Sequence, residues 1–403
     1  MPRKQLKKSE QISPAMTMVY DYDQPFTKRS EFLNAFQQAL CANCGHFMFD
    51  NHHTIYYYDH DGKREYFLVG AITWLSGPHL LFKKRLQLKK WYKEFYDLHC
   101  NEVNSKIHLT GVYHYDGLVV FVEFATEDYM GNKMNSSAAH VYSNDIYQAL
   151  TNKKFEKIDK NNNHITTIAS RNYKAFLDGT LKENSLFDFF RKFNLGFTFG
   201  QWITAVEAIT EMKTKNWYQW RGTEWAGWLL ECRVNEFIEI EKYHDQVMYI
   251  GNRKGSEFLD LDLLFKKENF YGDLKASDIT TNEAPGNDQK TVLDALARCG
   301  RIWYIIYEHE TIKDKDKDNE MAKARMKLLG TPYEEGGKVS YQSRMKHSIN
   351  FKRMKIFELN RINMYEALKE FNQGHQPNGG QRAPKFSISK KNIDNFIVFS
   401  YEK

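Results

Sequence analysis

The sequence predicts an α/β protein with a mixed central sheet and flanking helices, preceded by an α+β region. The main observation is the order helix, strand, strand, strand, helix, strand, which the apolar pattern gives for residues 223–307. A second observation is a pair of dipeptides in the first half, Asp61-Gly62 and Asp116-Gly117, each between two apolar runs. Such dipeptides are typical of two-residue β-hairpin turns, so strands are expected there as well.

The individual elements follow from apolar periodicity and from turn residues. In the second half, a crossover helix is expected to join two parallel strands by a right-handed connection. The predicted first-half elements are helices 31–40 and 80–99, hairpins 55–72 and 111–124, and a polar surface loop 151–163. The second-half elements are helix 223–241, strands 246–250, 257–265 and 269–277, a loop at Pro285-Gly286-Asn287, helix 288–299, strand 301–307, a solvated charged run 313–318, helix 320–329 and strand 395–401.

Length and composition indicate a folded protein with more than one region. At 403 residues the chain exceeds the usual size of one domain. We divide it into an α+β N-terminal region 1–180, a core 181–340 and a basic C-terminal segment 341–403. Aromatic residues make up 15% of the chain and are expected mostly in the core. No apolar run approaches the roughly 18 residues that span a bilayer, so we expect a cytoplasmic protein without a membrane partner.

The five cysteines are few and odd in number, which fits a reducing compartment better than a disulfide framework. Cys41, Cys44 and His46 form one possible half of a zinc site, to which His99 and Cys100 could add two ligands. One Cys-x-x-Cys pair without a well-spaced second pair is a weak signal. Unpaired structural cysteines are therefore the expectation.

The positive charge is concentrated at the end of the chain. The net charge is +6, and residues 341–403 contain 12 Lys or Arg against 5 Asp or Glu. Such a segment is typical of phosphate binding, and a solvated helix face is the alternative. We predict a helix over 343–355, followed by a Gly- and Pro-rich loop whose side chains read base edges or form a flexible surface loop. The candidate DNA contacts are Arg344, Lys346, Lys352, Arg353, Lys355, Gln373, Gln376, Arg382 and Lys385.

The predicted hairpin around Lys267 and Glu268 carries the charged residues of greatest interest. Because side chains alternate along a strand, Asp260 and Asp262 share one face of the first strand, and Asp273 and Lys275 share one face of the second. A loop of even length puts Asp262 opposite Asp273 and Asp260 opposite Lys275, whereas an odd loop scatters them. Directly opposed Cβ atoms lie roughly 4.5–5.5 Å apart, so two carboxylates could hold one divalent cation.

These residue types suit phosphodiester hydrolysis. Mg²⁺ held by two carboxylates generates a nucleophilic water and neutralises the charge that grows on the phosphate. A lysine beside it, here Lys275, can orient the water or stabilise the transition state. The alternative is an exposed strand face on which Asp260 and Lys275 form an ion pair worth well under ~1 kcal/mol.

The pattern of Asp262, ten residues, and then Asp273-Leu274-Lys275 resembles the PD-(D/E)xK nuclease superfamily, which contains most type II restriction endonucleases. The resemblance covers residues 223–308 and implies a restriction-endonuclease-like core. It also implies that Asp262, Asp273 and the backbone carbonyl of Leu274 bind Mg²⁺ and that Lys275 acts on the water. This chain has Leu261 where the family commonly has proline, and Asp273 where it commonly has glutamate, and neither change removes a ligand.

Members of the superfamily often draw a further acid from the preceding helix. Glu231 and Glu224 lie seven residues apart on one face of the predicted helix, and either could take this role. A solvent-facing glutamate is the alternative for each. Asp260 is the rival of Asp262 as the first acid, and we favour Asp262 because it would oppose Asp273. Glu308-His309-Glu310 could also approach the site, although a polar cluster at a strand end is the commoner arrangement.

The function expected from this resemblance is that of a type II restriction endonuclease, which cuts both strands of a specific DNA site with Mg²⁺. A homodimer is expected, because a palindromic site is matched by two-fold symmetry. The large N-terminal region favours this reading, since it supplies surface for DNA recognition or dimerisation. The alternatives are a less specific repair, junction or phage-defence nuclease, and a DNA-binding protein without catalysis.

Overall fold

The computed structural model describes residues 7–42, 44–75, 77–131, 137–159, 161–182, 184–251, 260–332, 345–371 and 383–402. The chain divides into two compact units, Met1–Asn184 and Ser185–Lys403, called here the N-terminal and the C-terminal unit. Within the described ranges, every helix is too short or too polar to cross a bilayer.

The N-terminal unit is built around one large sheet of seven strands. Its elements are β1 (Ser9–Ile12), β2 (Met18–Asp21), α1 (Arg29–Leu40), β3 (Gly45–Phe49), β4 (His53–His60), β5 (Lys63–Ala71), β6 (Thr73–Trp74), β7 (Lys83–Gln87), α2 (Lys90–His99), β8 (Ser105–Tyr115), β9 (Leu118–Phe124), α3 (Thr126–Met130), β10 (Ala138–Tyr142), α4 (Ser143–Asn152), β11 (Lys154–Ile158), β12 (His164–Ala169) and α5 (Tyr173–Leu177). The strand order is β11-β12-β9-β8-β5-β4-β3, with β5 and β8 parallel. Strands β10-β7-β6 and β1-β2 form two smaller sheets.

Both predicted Asp-Gly hairpins are confirmed. Asp61 and Gly62 join β4 to β5 with φ of 49° and 72°, and Asp116 and Gly117 join β8 to β9 with φ of 48° and 78°. Two successive positive φ angles are what a tight hairpin turn with the twist of its strands requires. Aspartate and glycine tolerate that conformation better than most residues, which is why the dipeptide was informative.

Two predictions for the N-terminal unit are wrong. Of the predicted helix 80–99 only the second half, α2, is helical, because residues 83–87 form β7. Lys84 and Leu86 are buried in alternation with half-buried neighbours, and their strand partner β10 is remote in sequence. The predicted loop 151–163 contains β11, an edge strand whose polar composition hid it.

The C-terminal unit contains a second large mixed sheet and a small three-stranded sheet. Its elements are α6 (Ser185–Gly196), β13 (Trp202–Thr204), α7 (Ala205–Thr214), α8 (Trp225–Ile240), β14 (Val247–Tyr249), β15 (Leu263–Phe265), β16 (Phe270–Asp278), β17 (Glu283–Asp288), α9 (Gln289–Cys299), β18 (Arg301–Lys313), α10 (Glu320–Leu329), β19 (Lys346–Asn360), α11 (Met364–Ala367), β20 (Leu368–Phe371), β21 (Lys385–Ser389), α12 (Lys390–Ile393) and β22 (Ile397–Glu402).

The predicted succession of helix, three strands, helix and strand is found in the large sheet from α8 to β18, with one strand that was not predicted, β17 of the small sheet, between β16 and α9. The large sheet has the order β13-β19-β18-β16-β15-β14, and β22 also pairs with β19. Strands β16 and β18 are parallel and are connected through α9, as expected of a crossover helix. A core of buried apolar side chains lies between α9 and the sheet and includes Val292 and Leu296 of α9 and Tyr304 and Ile306 of β18.

The predicted helix 343–355 is wrong, because Lys346–Asn360 is the long strand β19 beside β18. Phe351 pairs with His309 and Arg353 with Glu308, so Lys352 is one extra residue in the ladder. Such a bulge interrupts the period of two in a strand. The buried apolar residues on either side then recur at a spacing that imitates a helix.

The predicted loop at Pro285-Gly286-Asn287 is also wrong, since these residues belong to β17 at the edge of the sheet β17-β21-β20. Proline is tolerated on an edge strand because its missing N–H is not needed there. A Cβ atom at Gly286 would lie 2.4 Å from the carbonyl oxygen of Phe386. Glycine therefore permits close packing of two strands at this position.

The charged run 313–318 is not uniformly solvated. Asp314 is fully buried at the start of a short 3₁₀ helix, Asp314–Lys317. Its carboxylate accepts hydrogen bonds from the backbone N–H groups of Met321 (2.9 Å) and Ala322 (2.8 Å) in the first turn of α10. One aspartate of the run thus satisfies N–H groups that the helix itself leaves unpaired.

Candidate active site

The predicted register of the hairpin is confirmed. Leu263 pairs with Gly272 and Phe265 with Phe270, so the connecting loop has an even length. The backbone N–H of Asp262 donates to the carbonyl oxygen of Gly272 at 3.0 Å. The paired ladder ends at Leu263, and the carboxyl groups of Asp262 and Asp273, one residue further on in each segment, lie close enough to form a side-chain hydrogen bond.

Asp262 is held by both neighbouring strands. Its backbone carbonyl accepts a hydrogen bond from the N–H of Ile250 at 2.7 Å. Its carboxylate atom Oδ2 accepts the N–H of Leu274 at 2.8 Å, so here a side chain takes the place of a ladder carbonyl. The carboxyl group of Asp262 is therefore fixed at the middle of β16.

Asp273 and Lys275 project from the same face of β16. Asp273 is 1% exposed, and the Nζ atom of Lys275 lies 2.5 Å from its Oδ2 atom. Apart from this ion pair, that buried oxygen has no hydrogen-bond partner among the described residues. Burial lowers the pKa of Lys275, but the neighbouring acids outweigh burial and the pKa is raised.

The third acid is Glu231 of α8, which is 7% exposed. Burial raises its pKa to about 7, and the charge of Asp273 adds to this increase. Burial also raises the pKa of Asp262 well above its usual range, with Glu231 and Asp273 contributing further. Three carboxyl groups thus face one ammonium group, an arrangement that disfavours full ionisation of the acids.

Two tyrosines that the sequence analysis did not identify extend this cluster. The hydroxyl of Tyr249 donates to Oε2 of Glu231 at 2.5 Å, and it lies 3.1 Å from the hydroxyl of Tyr218. Tyr218 donates in turn to the carbonyl oxygen of Gly251 at 3.3 Å. Val247 and Tyr249 share the buried face of β14, and this period of two next to the acid-bearing hairpin was the available signal.

In each of the two pairs of rival acids, the structure brings one member to the cluster and leaves the other outside it. Glu224 is exposed at the N-terminal end of α8, whereas Glu231 reaches the cluster. The predicted opposition of Asp260 and Lys275 is wrong, because Asp260 is exposed and precedes β15. Its carbonyl oxygen accepts a hydrogen bond from Asn287 Nδ2 at 2.6 Å, and its pKa is raised by burial and by Asp288.

The residues present fit a small divalent cation bound by oxygen atoms. No group of three His, Cys, Asp or Glu side chains in the described ranges is arranged to hold a metal ion. The pair of Asp262 and Asp273 remains, and the buried Oδ2 atom of Asp273 has the ammonium group of Lys275 as its charged neighbour and no further hydrogen-bond partner among the described residues. Carboxylate and backbone carbonyl oxygens are ligands that Mg²⁺ accepts, and the cation usually retains several waters.

Four of the predicted DNA contacts, Arg344, Gln373, Gln376 and Arg382, lie outside the described residues. Of the other five, Lys352, Arg353, Lys355 and Lys385 form ion pairs, and Lys346 is partly buried beside a histidine. Their role in DNA binding stays a prediction. The contacts are Lys352 with Glu310 (2.9 Å), Arg353 with Glu308 (2.5 Å), Lys355 with Asp394 (2.8 Å), Lys385 with Asp288 (3.6 Å) and Lys346 with His309 (3.2 Å).

Glu308, within β18, is buried among three basic side chains and does not join the three acids. Arg353 lies 2.5 Å from its carboxylate, Lys390 3.2 Å and Lys355 3.9 Å. Burial raises the pKa of Glu308, but these cations outweigh it and the pKa is lowered.

Comparison with known families gives one match. Residues 63–177 match the family model described as Methylase-associated X1. The matched segment starts with β5 and ends with α5, so it lies wholly in the N-terminal unit. No curated protein and no solved structure matches the chain.

Proposed function

We propose that this chain is a Mg²⁺-dependent endonuclease that cuts double-stranded DNA at specific sites, as the restriction enzyme of a restriction–modification system. The observation that carries the proposal is the cluster of Asp262, Asp273, Lys275 and Glu231. Its two aspartates come from an even-length hairpin, and its lysine contacts one of them. A structural ion pair would need one acid, whereas this site brings three partly or fully buried acids to one lysine.

Two further observations support the proposal. The order of elements from α8 to β18, with β16 and β18 parallel, agrees with the order that the nuclease resemblance implies. The family description of residues 63–177 names association with a methylase. A methylase that protects a DNA site is the natural companion of an endonuclease that cuts the same site.

Each residue of the cluster has a distinct role in this proposal. Asp262, Asp273 and the carbonyl of Leu274 would hold the cation, which supplies a water of lowered pKa and charge neutralisation at the phosphate. Lys275 can donate a hydrogen bond to a phosphate oxygen or to the attacking water. Because Tyr249 occupies Oε2 of Glu231, the carboxyl group is fixed in orientation, and its pKa of about 7 suits proton exchange at neutral pH.

The test is cleavage of a defined plasmid by the purified full chain with Mg²⁺. Discrete bands are expected for wild type, and Asp273→Asn and Lys275→Met should each reduce the rate on the order of 10²-fold or more. Asp294→Asn is the matched control, because this exposed aspartate of α9 pairs with Lys290 one turn away.

Three outcomes would contradict the proposal. Unchanged cleavage by Asp273→Asn would show that the site is elsewhere. A smear instead of bands would indicate a nuclease with little sequence preference, such as a repair or phage-defence enzyme. Binding of DNA without any cleavage by wild type would favour the non-catalytic DNA-binding alternative.

A further inference from the structure

The hydroxyl group of Tyr304 is buried in the C-terminal unit and has no hydrogen-bond partner among the described residues. Its aromatic neighbours in β18 do have partners for their polar atoms. The Nε1 atom of Trp303 donates to Glu358 at 2.8 Å, and the hydroxyl of Tyr307 donates to Oδ1 of Asn194 at 2.7 Å. A buried hydroxyl without a partner costs free energy, so the one on Tyr304 needs a physical reason.

Tyr304 lies on the same face of the sheet as the candidate active site. In the parallel pair of β16 and β18, it is in register with Asp273. Side chains at paired positions of neighbouring strands project from the same face, and the two strands lie roughly 4.8 Å apart. Burial raises the pKa of Tyr304 well above its usual range, and the charge of Asp273 raises it further. The hydroxyl is therefore protonated and can donate a hydrogen bond.

The phenol ring of Tyr304 is held in place by packing. It stacks on Phe357 of β19, with ring centroids 6.1 Å apart and an interplanar angle of 11°. It also belongs to the buried core that includes Val292 and Leu296 of α9. The hydroxyl therefore cannot turn to bulk solvent, and its acceptor has to lie inside the protein.

Asp273 has the complementary group. Its Oδ2 atom is buried, and apart from the ion pair with Lys275 it has no hydrogen-bond partner among the described residues. An ionised carboxylate can accept several hydrogen bonds, so this oxygen can take another donor. Because the tyrosine side chain is the longer of the two, its hydroxyl lies further from the sheet than the carboxyl group. A buried water that bonds to both groups satisfies such a pair.

We propose that Tyr304 is a positioning residue of the cation site: its hydroxyl donates to a buried water that in turn donates to the carboxylate of Asp273, and this bridge fixes the carboxylate for cation binding. The inference rests on the proposed function, because it takes Asp273 as a ligand of the cation. Carboxylates that bind metal ions are themselves held by hydrogen bonds from outer partners. Loss of one such partner typically costs about 10–100-fold in metal affinity or activity.

The test compares binding of Mn²⁺ to wild type and to Tyr304→Phe, by isothermal titration calorimetry of the full chain without DNA. The variant lacks only the hydroxyl group and should bind Mn²⁺ about 10-fold more weakly, or worse. Its Tm in EDTA should stay close to that of wild type, because the hydroxyl bonds directly to no other protein group among the described residues. In the cleavage assay, the Mg²⁺ concentration for half-maximal rate should rise by a similar factor, with a smaller change in the rate at saturating Mg²⁺.

Tyr307→Phe is the matched control on the same strand. Tyr307 is three residues further along β18, so it projects from the opposite face, and its hydroxyl bonds directly to Asn194. Loss of this hydrogen bond should lower the Tm in EDTA and leave the affinity for Mn²⁺ unchanged. Asp273→Asn in the same titration identifies the binding signal that belongs to the proposed cation site.

Equal Mn²⁺ affinities of wild type and Tyr304→Phe, with binding reduced by Asp273→Asn, would overturn this inference and leave the proposed function intact. A Tm in EDTA lowered as much as in Tyr307→Phe, with unchanged affinity, would also overturn it and make Tyr304 a packing residue. Weaker Mn²⁺ binding by Tyr304→Phe, with no DNA cleavage by any of the proteins, would support the role of Tyr304 and refute the nuclease. Absence of Mn²⁺ binding by wild type would overturn both.

Discussion

The buried histidine of the N-terminal unit gives a prediction whose size follows from the structure. His108 on β8 is 5% exposed. Its Nε2 atom lies 2.6 Å from Glu65 Oε2, and its Nδ1 atom lies 3.0 Å from Glu123 Oε2. Thr110 and Tyr173 donate to the other oxygen of Glu123 at 2.8 and 2.6 Å. An imidazole whose two nitrogens both face carboxylates must be protonated to donate to each of them.

The pKa of His108 determines how much stability this proton contributes. Burial lowers the pKa of His108, but Glu123 and Glu65 outweigh burial and raise it to about 8, against the ordinary histidine value of 6.5. The difference corresponds to about 2 kcal/mol. Because the folded pKa is the higher one, this stability is fully present below pH 6.5 and is lost as the pH rises through about 8. Half of it should be lost near pH ~7.2.

The pKa of Glu65 is shifted in the opposite direction from that of His108, and its contribution to stability changes in a different pH range. Burial raises the pKa of Glu65, but His108 and His60 outweigh burial and the pKa is lowered. Its contribution is therefore present above the ordinary glutamate pKa and lost as the pH falls below it. Between pH 6 and 9 the contribution of Glu65 is constant, but Glu231 of the C-terminal unit, with a pKa of about 7, also titrates there. The contribution of His108 is therefore isolated by the difference between wild type and a His108 variant.

The perturbation is His108→Gln, which keeps a hydrogen-bonding side chain and removes the titratable charge. Between pH 6 and 9 wild type should lose about 2 kcal/mol more than the variant, or about 4–8 °C more in Tm for a unit of this size. The variant should show a much flatter dependence. Differential scanning calorimetry of the full chain measures both, and His52→Gln, at an exposed position, should keep the wild-type slope. Equal slopes for wild type and His108→Gln, or an imidazole that titrates by NMR at or below pH 6.5, would refute the reasoning.

Two other substitutions test the packing and electrostatics of the C-terminal unit. Glu231→Gln should raise the free energy of unfolding at pH 8 by up to about 3 kcal/mol and change it little at pH 4. The reason is that the pKa of Glu231 in the folded protein, about 7, exceeds the ordinary glutamate value of 4.5, so the fold disfavours the ionised form. Equal Tm values of wild type and variant at pH 8 would contradict this. Gly286→Ala should cost about 1–3 kcal/mol, since the new Cβ would lie 2.4 Å from the carbonyl oxygen of Phe386. Gly227→Ala in α8, where nothing lies within 4 Å, is its control and should be neutral or stabilising by up to ~1 kcal/mol in denaturant unfolding.

The site was predictable where it depended on local geometry. The parity of a strand and the length of one loop are encoded within residues 260–275, so the opposition of Asp262 and Asp273 could be read from the sequence. Asp260 was misplaced because β15 begins only at Leu263, and the hydrogen bond from Asn287 holds Asp260 away from the ladder. The same parity argument therefore succeeded for Asp262, one residue before the start of β15, and failed for Asp260, three residues before it.

The remainder depended on contacts between distant segments. The hydroxyl groups of Tyr218 and Tyr249 connect to the carboxyl group of Glu231. The three residues come from three separate segments of the chain, so the periodicity of any one segment cannot reveal the contact. The strand β19 was hidden by the bulge at Lys352, because an extra residue changes the apolar spacing without changing the composition. Tertiary pairing with β18 determined the structure there, against the local pattern.

The raised pKa values of the clustered acids are the electrostatic reason for proposing a bound cation at this site. Burial and mutual repulsion raise the pKa of both Glu231 and Asp262, so the protein alone does not stabilise three ionised carboxylates at this place. Lys275 compensates one negative charge through its contact with Asp273. A divalent cation between Asp262 and Asp273 would remove the remaining repulsion and free Lys275 for a phosphate oxygen or a water. The same side chains that make the isolated site costly would then become the groups that perform the hydrolysis.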